Sequence, residues 1–257
     1  MTDAVFQYIY EFVLDGLRLL VPCDFSVSYM PDPNLPAAAN LARHYDLNAE
    51  LSASAPLRLS ISVKAANDST AAAHANRFVG EVYQRLMLRF GGRIERAEPP
   101  HLVGSIPPTP TATGKTVTVA GASELEELAH EVAVRYVTPQ PPTSAPLYTA
   151  VGMCTVALQS ANKVVRFLVL YSALSLVTLF RWHDGKQQNV DALLRWVEPT
   201  LPLLTSPRGG TETLYTKLRN DFIHAEERSR DVANAMTSIE AHVRPFQGIV
   251  TQVLRRM

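Results

Sequence analysis

Apolar and polar residues change period part-way along this chain. In the first segment they alternate: Phe6, Tyr8, Tyr10, Phe12 and Leu14 precede Asp15-Gly16, and Leu17, Leu19 and Val21 follow it. Period two marks a strand with one buried face, and Asp-Gly between two alternating runs predicts a β-hairpin. Phe25 to Met30 adds a strand, and Leu57 to Val63 (LRLSISV) alternates again, whereas residues 31–56 are rich in Pro, Ala and Asn and poorly patterned. Asn67, Asp68 and Ser69 offer N-caps to a helix that runs to about Phe90, where Gly91-Gly92 stops it. Pro99 to Pro110 reads as a loop, Lys115 to Ala120 (KTVTVA) as a strand, and Ser123 with Glu126 as the capping box of a helix reaching Tyr136.

Past the proline-rich stretch Pro139 to Pro146 (PQPPTSAP) the strand signals vanish and the helical period takes over. Helices are expected over 147–160, 162–181, 187–204 with a break at Pro199 and Pro202, 211–228 and 230–256. The run Phe167 to Phe180 is apolar on nearly all sides but shorter than the roughly 20 residues a membrane span requires, so it reads as the central helix of a bundle. The expected class is therefore α+β: a mixed α/β domain over 1–140, then an all-helical domain over 147–257.

Composition narrows the function classes. The chain carries 24 Lys plus Arg against 24 Asp plus Glu, which excludes a wholly basic nucleic-acid coat and an acidic disordered tail. The zero is a sum: residues 1–139 carry 11 basic and 15 acidic side chains, and residues 140–257 carry 13 and 9. The C-terminal half leaves room for a polyanion. Cys23 and Cys154 are too few for a disulfide framework or a cysteine zinc site and read as buried hydrophobes. Met1 to Phe12 lacks the basic start of a signal peptide. A cytoplasmic protein without a membrane partner is expected.

Gly114-Lys115-Thr116 ends like a phosphate-binding loop, but Thr109 stands where that motif needs its first Gly. His44, His74, His101, His130, His183 and His242 show no metal-ligand spacing with carboxylates. The segment Leu214 to Arg228 stands apart. On one helix, Leu214, Leu218, Phe222 and Ala225 form a core stripe, while Arg219, Asn220, Ile223, His224 and Glu227 share the outward face. Asn220 and His224, at i and i+4, lie one above the other, which would let the amide orient the imidazole. Ile223 on that face points to a second buried surface.

Arg219-Asn220-x-x-x-His224 resembles the Arg-x(4–6)-His signature of the HEPN superfamily, the higher eukaryotes and prokaryotes nucleotide-binding domain, in which a polar residue often follows the Arg. The resemblance covers residues 147–257. Arg96 to His101 meets the same bare spacing, but Pro99 and Pro100 forbid a helix there. The resemblance implies a HEPN-like helical bundle acting as a metal-independent endoribonuclease on single-stranded RNA, with no cofactor and no metal site. It also implies a homodimer that joins two Arg-His motifs at its interface, and a toxin or antiviral effector restrained by a regulatory or antitoxin partner. In that role His224 moves the proton, because an imidazole titrates near neutrality. Arg219 stabilises charge on phosphorus, Asn220 positions, and Lys217, Arg228 and Arg230 hold the RNA. Five residues separate Arg219 from His224, about 140° around an ideal helix, so two facing helices would be needed to aim both at one phosphate. Glu226 stands where many active members carry Tyr. The alternative is a non-catalytic module that keeps the fold to bind RNA, nucleotide or a partner.

Overall fold

The computed structural model describes residues 4–29, 45–103, 118–137, 145–206, 209–224 and 232–257. The chain is α+β and divides into two compact units, Met1–Leu86 with Ile94–Pro139, and Met87–Arg93 with Gln140–Met257.

The first unit is built on strands β1 (Ala4–Asp15), β3 (Cys23–Tyr29), β4 (Tyr45–Leu51), β5 (Leu57–Ala65) and β6 (Arg96–Leu102), paired antiparallel in the order β3-β4-β5-β1-β6. Their alternation puts Tyr10, Phe12, Leu47, Leu59 and Ile61 on one buried face. Helices α1 (Asp68–Phe90) and α2 (Ala122–Val137) cover it. Phe78 and Tyr83 of α1 meet Phe25 and Phe12 edge-on at 5.7 and 5.5 Å, and Tyr136 of α2 meets Phe78 at 5.4 Å. Asn67 caps α1 by accepting the Thr70 N–H at 2.9 Å.

Four expectations change here. Asp15-Gly16 is a corner and not a hairpin turn, because both edges of β1 are taken by β5 and β6. At Gly16 (φ 91°) the chain leaves the sheet, and β2 (Leu17–Leu19) pairs parallel with β7 (Thr118–Ala120). The unpatterned stretch contains β4, whose Leu47, Ala49 and Leu51 alternate with Asp46, Asn48 and Glu50. Pro99 and Pro100 lie within β6, where the register slips so that both face the single residue Phe12. An edge strand tolerates that bulge, since proline has no N–H to offer a further neighbour. Helix α2 begins at Ala122, and Glu124 reaches back to the Gly121 N–H, two residues before the expected cap. Residues 104–117, with Gly114-Lys115-Thr116, lie outside the described residues, as does His44.

The second unit contains α3 (Ala145–Gln159), α4 (Lys163–Trp182), α5 (Gln187–Val197), β8 (Leu203–Thr205), β9 (Thr211–Thr213), α6 (Leu214–Ile223), α7 (Val232–Arg256) and a 3-10 turn at Gly91–Arg93. It is not all-helical: β8 and β9 form an antiparallel hairpin. Helix α4 touches α3, α5 and α7. At 20 residues it exceeds the apolar run read from the sequence, and among the described residues it is the one helix long and apolar enough to cross a membrane. Half of it is buried in the bundle. Asn162 caps it by accepting from the Val164 and Val165 N–H groups, and His183 ends it in the left-handed conformation. Phe167 and Tyr171 of α4, Tyr215 of α6 and Phe246 of α7 form one aromatic cluster.

The 3-10 turn meets α7 at backbone distance. A Cβ on Gly91 would lie 2.4 Å from Thr251 Cγ2, and one on Gly92 would lie 3.1 Å from Gly248 Cα. The Gln247 amide donates to the Gly91 carbonyl at the same crossing. We expect Gly91→Ala to cost about 1–3 kcal/mol by overpacking, read as a lower urea midpoint, with Gly80→Ala, where no atom lies within 4 Å of the added carbon, as the tolerated control.

Candidate active site

Helix α6 is held at its start by one carboxylate. Asp191, buried on α5, accepts three hydrogen bonds at Oδ1: the Thr213 N–H at 3.2 Å, the Thr213 hydroxyl at 2.6 Å and the Thr216 hydroxyl at 2.6 Å. Thr213 is also the N-cap, its hydroxyl oxygen accepting the Thr216 N–H. Thr216 gives its hydrogen to Asp191, so the Tyr171 hydroxyl, 3.0 Å from Thr216 Oγ1, is the donor of that pair. Burial pushes the Tyr171 hydroxyl up to about 12, the Asp191 carboxylate adding to the shift and Arg219 opposing it.

The Arg219 guanidinium lies 5.8 Å from the Tyr171 ring centroid and donates through Nη1 to Asn220 Oδ1 at 3.0 Å. The other end of that amide donates to Glu212 Oε2 at 2.8 Å. Asn220 is thus a bridge between Arg219 and the buried Glu212 of β9. Helix α6 stops at Ile223. His224 caps it at φ −97°, ψ 10°, its N–H donating to the Asn220 carbonyl at 3.0 Å.

The helix thus lies inside the range 211–228 expected from the sequence. Arg219, Asn220 and His224 line one cleft of about 610 Å³ within a single copy, together with Asp191, Glu212 and Asp221. Lys217 is drawn off into an i,i+4 ion pair with Asp221 at 2.6 Å and is not among the residues lining the cleft. Arg228 and Arg230, like Ala225, Glu226 and Glu227, lie outside the described residues. The core stripe is also rotated: Leu218 is buried, but Leu214 and Phe222 are only half-buried, and Tyr215 and Thr216 are the deeper residues. Ile223 is 46% exposed beside the cleft.

Asp191, Glu212, Thr213, Thr216 and Tyr171 escaped the sequence reading. For Asp191 a signal existed, a carboxylate on the apolar stripe formed by Val190, Leu193 and Leu194. Polar residues on a buried face need hydrogen-bond partners, and this one organises the next helix. Among the described residues no three His, Cys, Asp or Glu side chains converge as a metal-binding group. Comparison with protein-family models, curated proteins and solved structures gives no match.

Asp191→Ala would orphan the Thr213 and Thr216 donors, and we expect a loss of about 1–3 kcal/mol in urea unfolding, with Asp191→Asn milder because its carbonyl oxygen still accepts. The Tyr171 shift carries a sign. Its folded pKa lies above that of a free phenol, so its stabilising share is complete below about pH 10 and is lost as pH rises through about 12. Unfolding free energy should therefore fall more steeply over that interval in the wild type than in Tyr171→Phe.

Proposed function

We propose that the second unit is a metal-independent endoribonuclease acting on single-stranded RNA at the Arg219–Asn220–His224 cleft. The observation that supports it is the convergence of a guanidinium, an amide and an imidazole in one polar cavity. In the reaction, His224 takes the proton of a ribose 2′-hydroxyl and the 2′ oxygen attacks the adjacent phosphorus. The P–O5′ bond breaks and the departing oxygen takes the proton from the imidazolium of His224, leaving a 2′,3′-cyclic phosphate, a 5′-hydroxyl and a neutral His224. Arg219 stabilises the charge that grows on the non-bridging oxygens, where a planar fork of donors fits phosphate. Asn220 is a positioning residue, fixing the Arg219 fork while Glu212 fixes the amide. The exposed Ile223 supports pairing of two copies beside the cleft. The role is that of a cytoplasmic toxin or antiviral effector, restrained by a regulatory partner.

A specific observation favours a second reading, a non-catalytic module that binds RNA, nucleotide or a partner: Asp191, Glu212 and Asp221 line the same cleft as Arg219, and like-charged carboxylates oppose a phosphate there. The two readings separate in one assay. With single-stranded RNA in EDTA, His224→Ala and Arg219→Ala should each slow cleavage roughly 100-fold or more with unchanged circular dichroism, and wild-type products should end in cyclic phosphate. Equal rates in both variants and the wild type would remove the nuclease assignment.

A further inference from the structure

The Arg219 cleft holds both signs of charge, and two of its carboxylates carry an oxygen that the reaction proposed above does not use. Asp191, Glu212 and Asp221 line it. Asp221 is taken by the Lys217 ammonium at 2.6 Å. The other two are more than nine-tenths buried, at 8% and 7% exposure, and each commits one oxygen to the protein. Asp191 Oδ1 accepts from Thr213 and Thr216, and Glu212 Oε2 accepts from the Asn220 amide. Asp191 Oδ2 and Glu212 Oε1 accept from no described residue, yet neither atom is sealed from solvent. Both residues line the cleft, so two acceptor oxygens face it without donors. A second cleft of the unit, about 620 Å³, is lined by Arg89, Arg93, Arg255 and Arg256 and by no carboxylate, so the mixture of signs is particular to the Arg219 cleft.

Whatever occupies those oxygens has to bring hydrogen-bond donors. A metal ion would stand beside the Arg219 guanidinium, like charge against like, and among the described residues no three ligating side chains converge. A phosphate would face the carboxylates. A neutral nucleobase meets neither penalty. Of the four RNA bases, guanine alone carries two adjacent donors, N1–H and the N2 amino group. In uracil N3–H stands between two carbonyls, and adenine and cytosine set one amino group beside a bare ring nitrogen. Room for a flat ring is present: Gly209 and Gly210, at φ 79° and 94°, line the same cleft, and no atom lies within 4 Å of the Cβ position of either.

We infer that the cleft reads a guanine of the single strand, with Glu212 Oε1 and Asp191 Oδ2 accepting from N1–H and the N2 amino group while Arg219 and His224 face the adjoining phosphate. The phosphate half of this assignment rests on the nuclease reading; the base half does not. Glu212 then works in two directions. Its other oxygen holds the Asn220 amide, whose carbonyl accepts from Arg219 Nη1 at 3.0 Å. A base seated on Glu212 is therefore connected, through Asn220, to the guanidinium that meets the phosphate. Recognition and catalysis share one side chain, and a wrong base leaves buried acceptors unpaired in the transition state.

The test titrates the full chain calorimetrically, in EDTA, with the 3′-monophosphates of guanosine, inosine, adenosine, cytidine and uridine. The guanosine compound should bind roughly 10-fold or more tighter than the others, inosine included, although inosine lacks only the N2 amino group. Glu212→Gln, which still accepts from Asn220 but turns an amide N–H toward the base, should abolish that preference with circular dichroism unchanged. Should that variant fail to fold, the wild-type contrast between guanosine and inosine decides alone. Equal affinity for those two, no binding of any nucleotide, or a guanosine preference that survives in folded Glu212→Gln overturns the guanine site. So does loss of guanosine binding when calcium chloride replaces EDTA, which would mark the carboxylates as a cation site. On a mixed-sequence single-stranded RNA, cleavage should fall beside guanines. Cleavage without base preference removes the guanine site and leaves the nuclease, whereas guanosine-selective binding without cleavage removes the nuclease and leaves the guanine site.

Discussion

One oxygen atom sets the geometry of the second unit. Asp191 Oδ1 takes three hydrogen bonds from the cap and first turn of α6, and everything that makes the Arg219 cleft follows from where that helix begins. A buried carboxylate is costly to desolvate, and it survives here because donors surround it and it stands at the positive end of a helix. With the start of α6 fixed, Thr216 meets the Tyr171 hydroxyl, Arg219 comes to lie over the Tyr171 ring, and Asn220 comes within reach of Glu212. The aromatic cluster around Phe246 backs the same helix through Tyr215. The anchor is thus polar on one side of α6 and apolar on the other.

That division explains what could be read from the sequence. Elements driven by apolar periodicity were legible: β5, with its strict alternation, α1 between Asn67 and Gly91, and α4 with its apolar run. Elements that depend on partners distant in sequence were not. Asp15-Gly16 carries every local sign of a hairpin, yet β1 pairs with β5 and β6 because those strands fill both of its edges. Nothing local stops α6, so the sequence predicts a helix that runs on through His224. Its position is set by Asp191, more than twenty residues earlier, and its buried face includes Thr216, a residue that hydropathy assigns to solvent. Spacing alone singles out Arg219, Asn220 and His224, and the three line one cleft, with His224 as the cap of the helix.

Charge in this chain is sorted more finely than by halves. Two clefts of nearly equal volume in the same unit have opposite character, one with three carboxylates and the other with four arginines. Their coexistence conceals both in the net figure of zero. The segment Met87–Arg93, made of the last turn of α1 and the 3-10 turn after it, belongs to the second unit and supplies half of those arginines. A boundary drawn at the proline-rich stretch alone would cut the basic cleft out of the domain it belongs to.

The bulge of β6 bears on how the protein can associate. Pro99 and Pro100 take two donors out of β6, one of the two outer strands of the sheet, so an extended segment of another molecule laid along that edge would find an interrupted row of partners. Growth of the sheet from copy to copy, the route by which exposed strands turn into fibres, is blocked there. A chain protected in this way can display apolar side chains such as Ile223 elsewhere on its surface without risking uncontrolled stacking through the β6 edge.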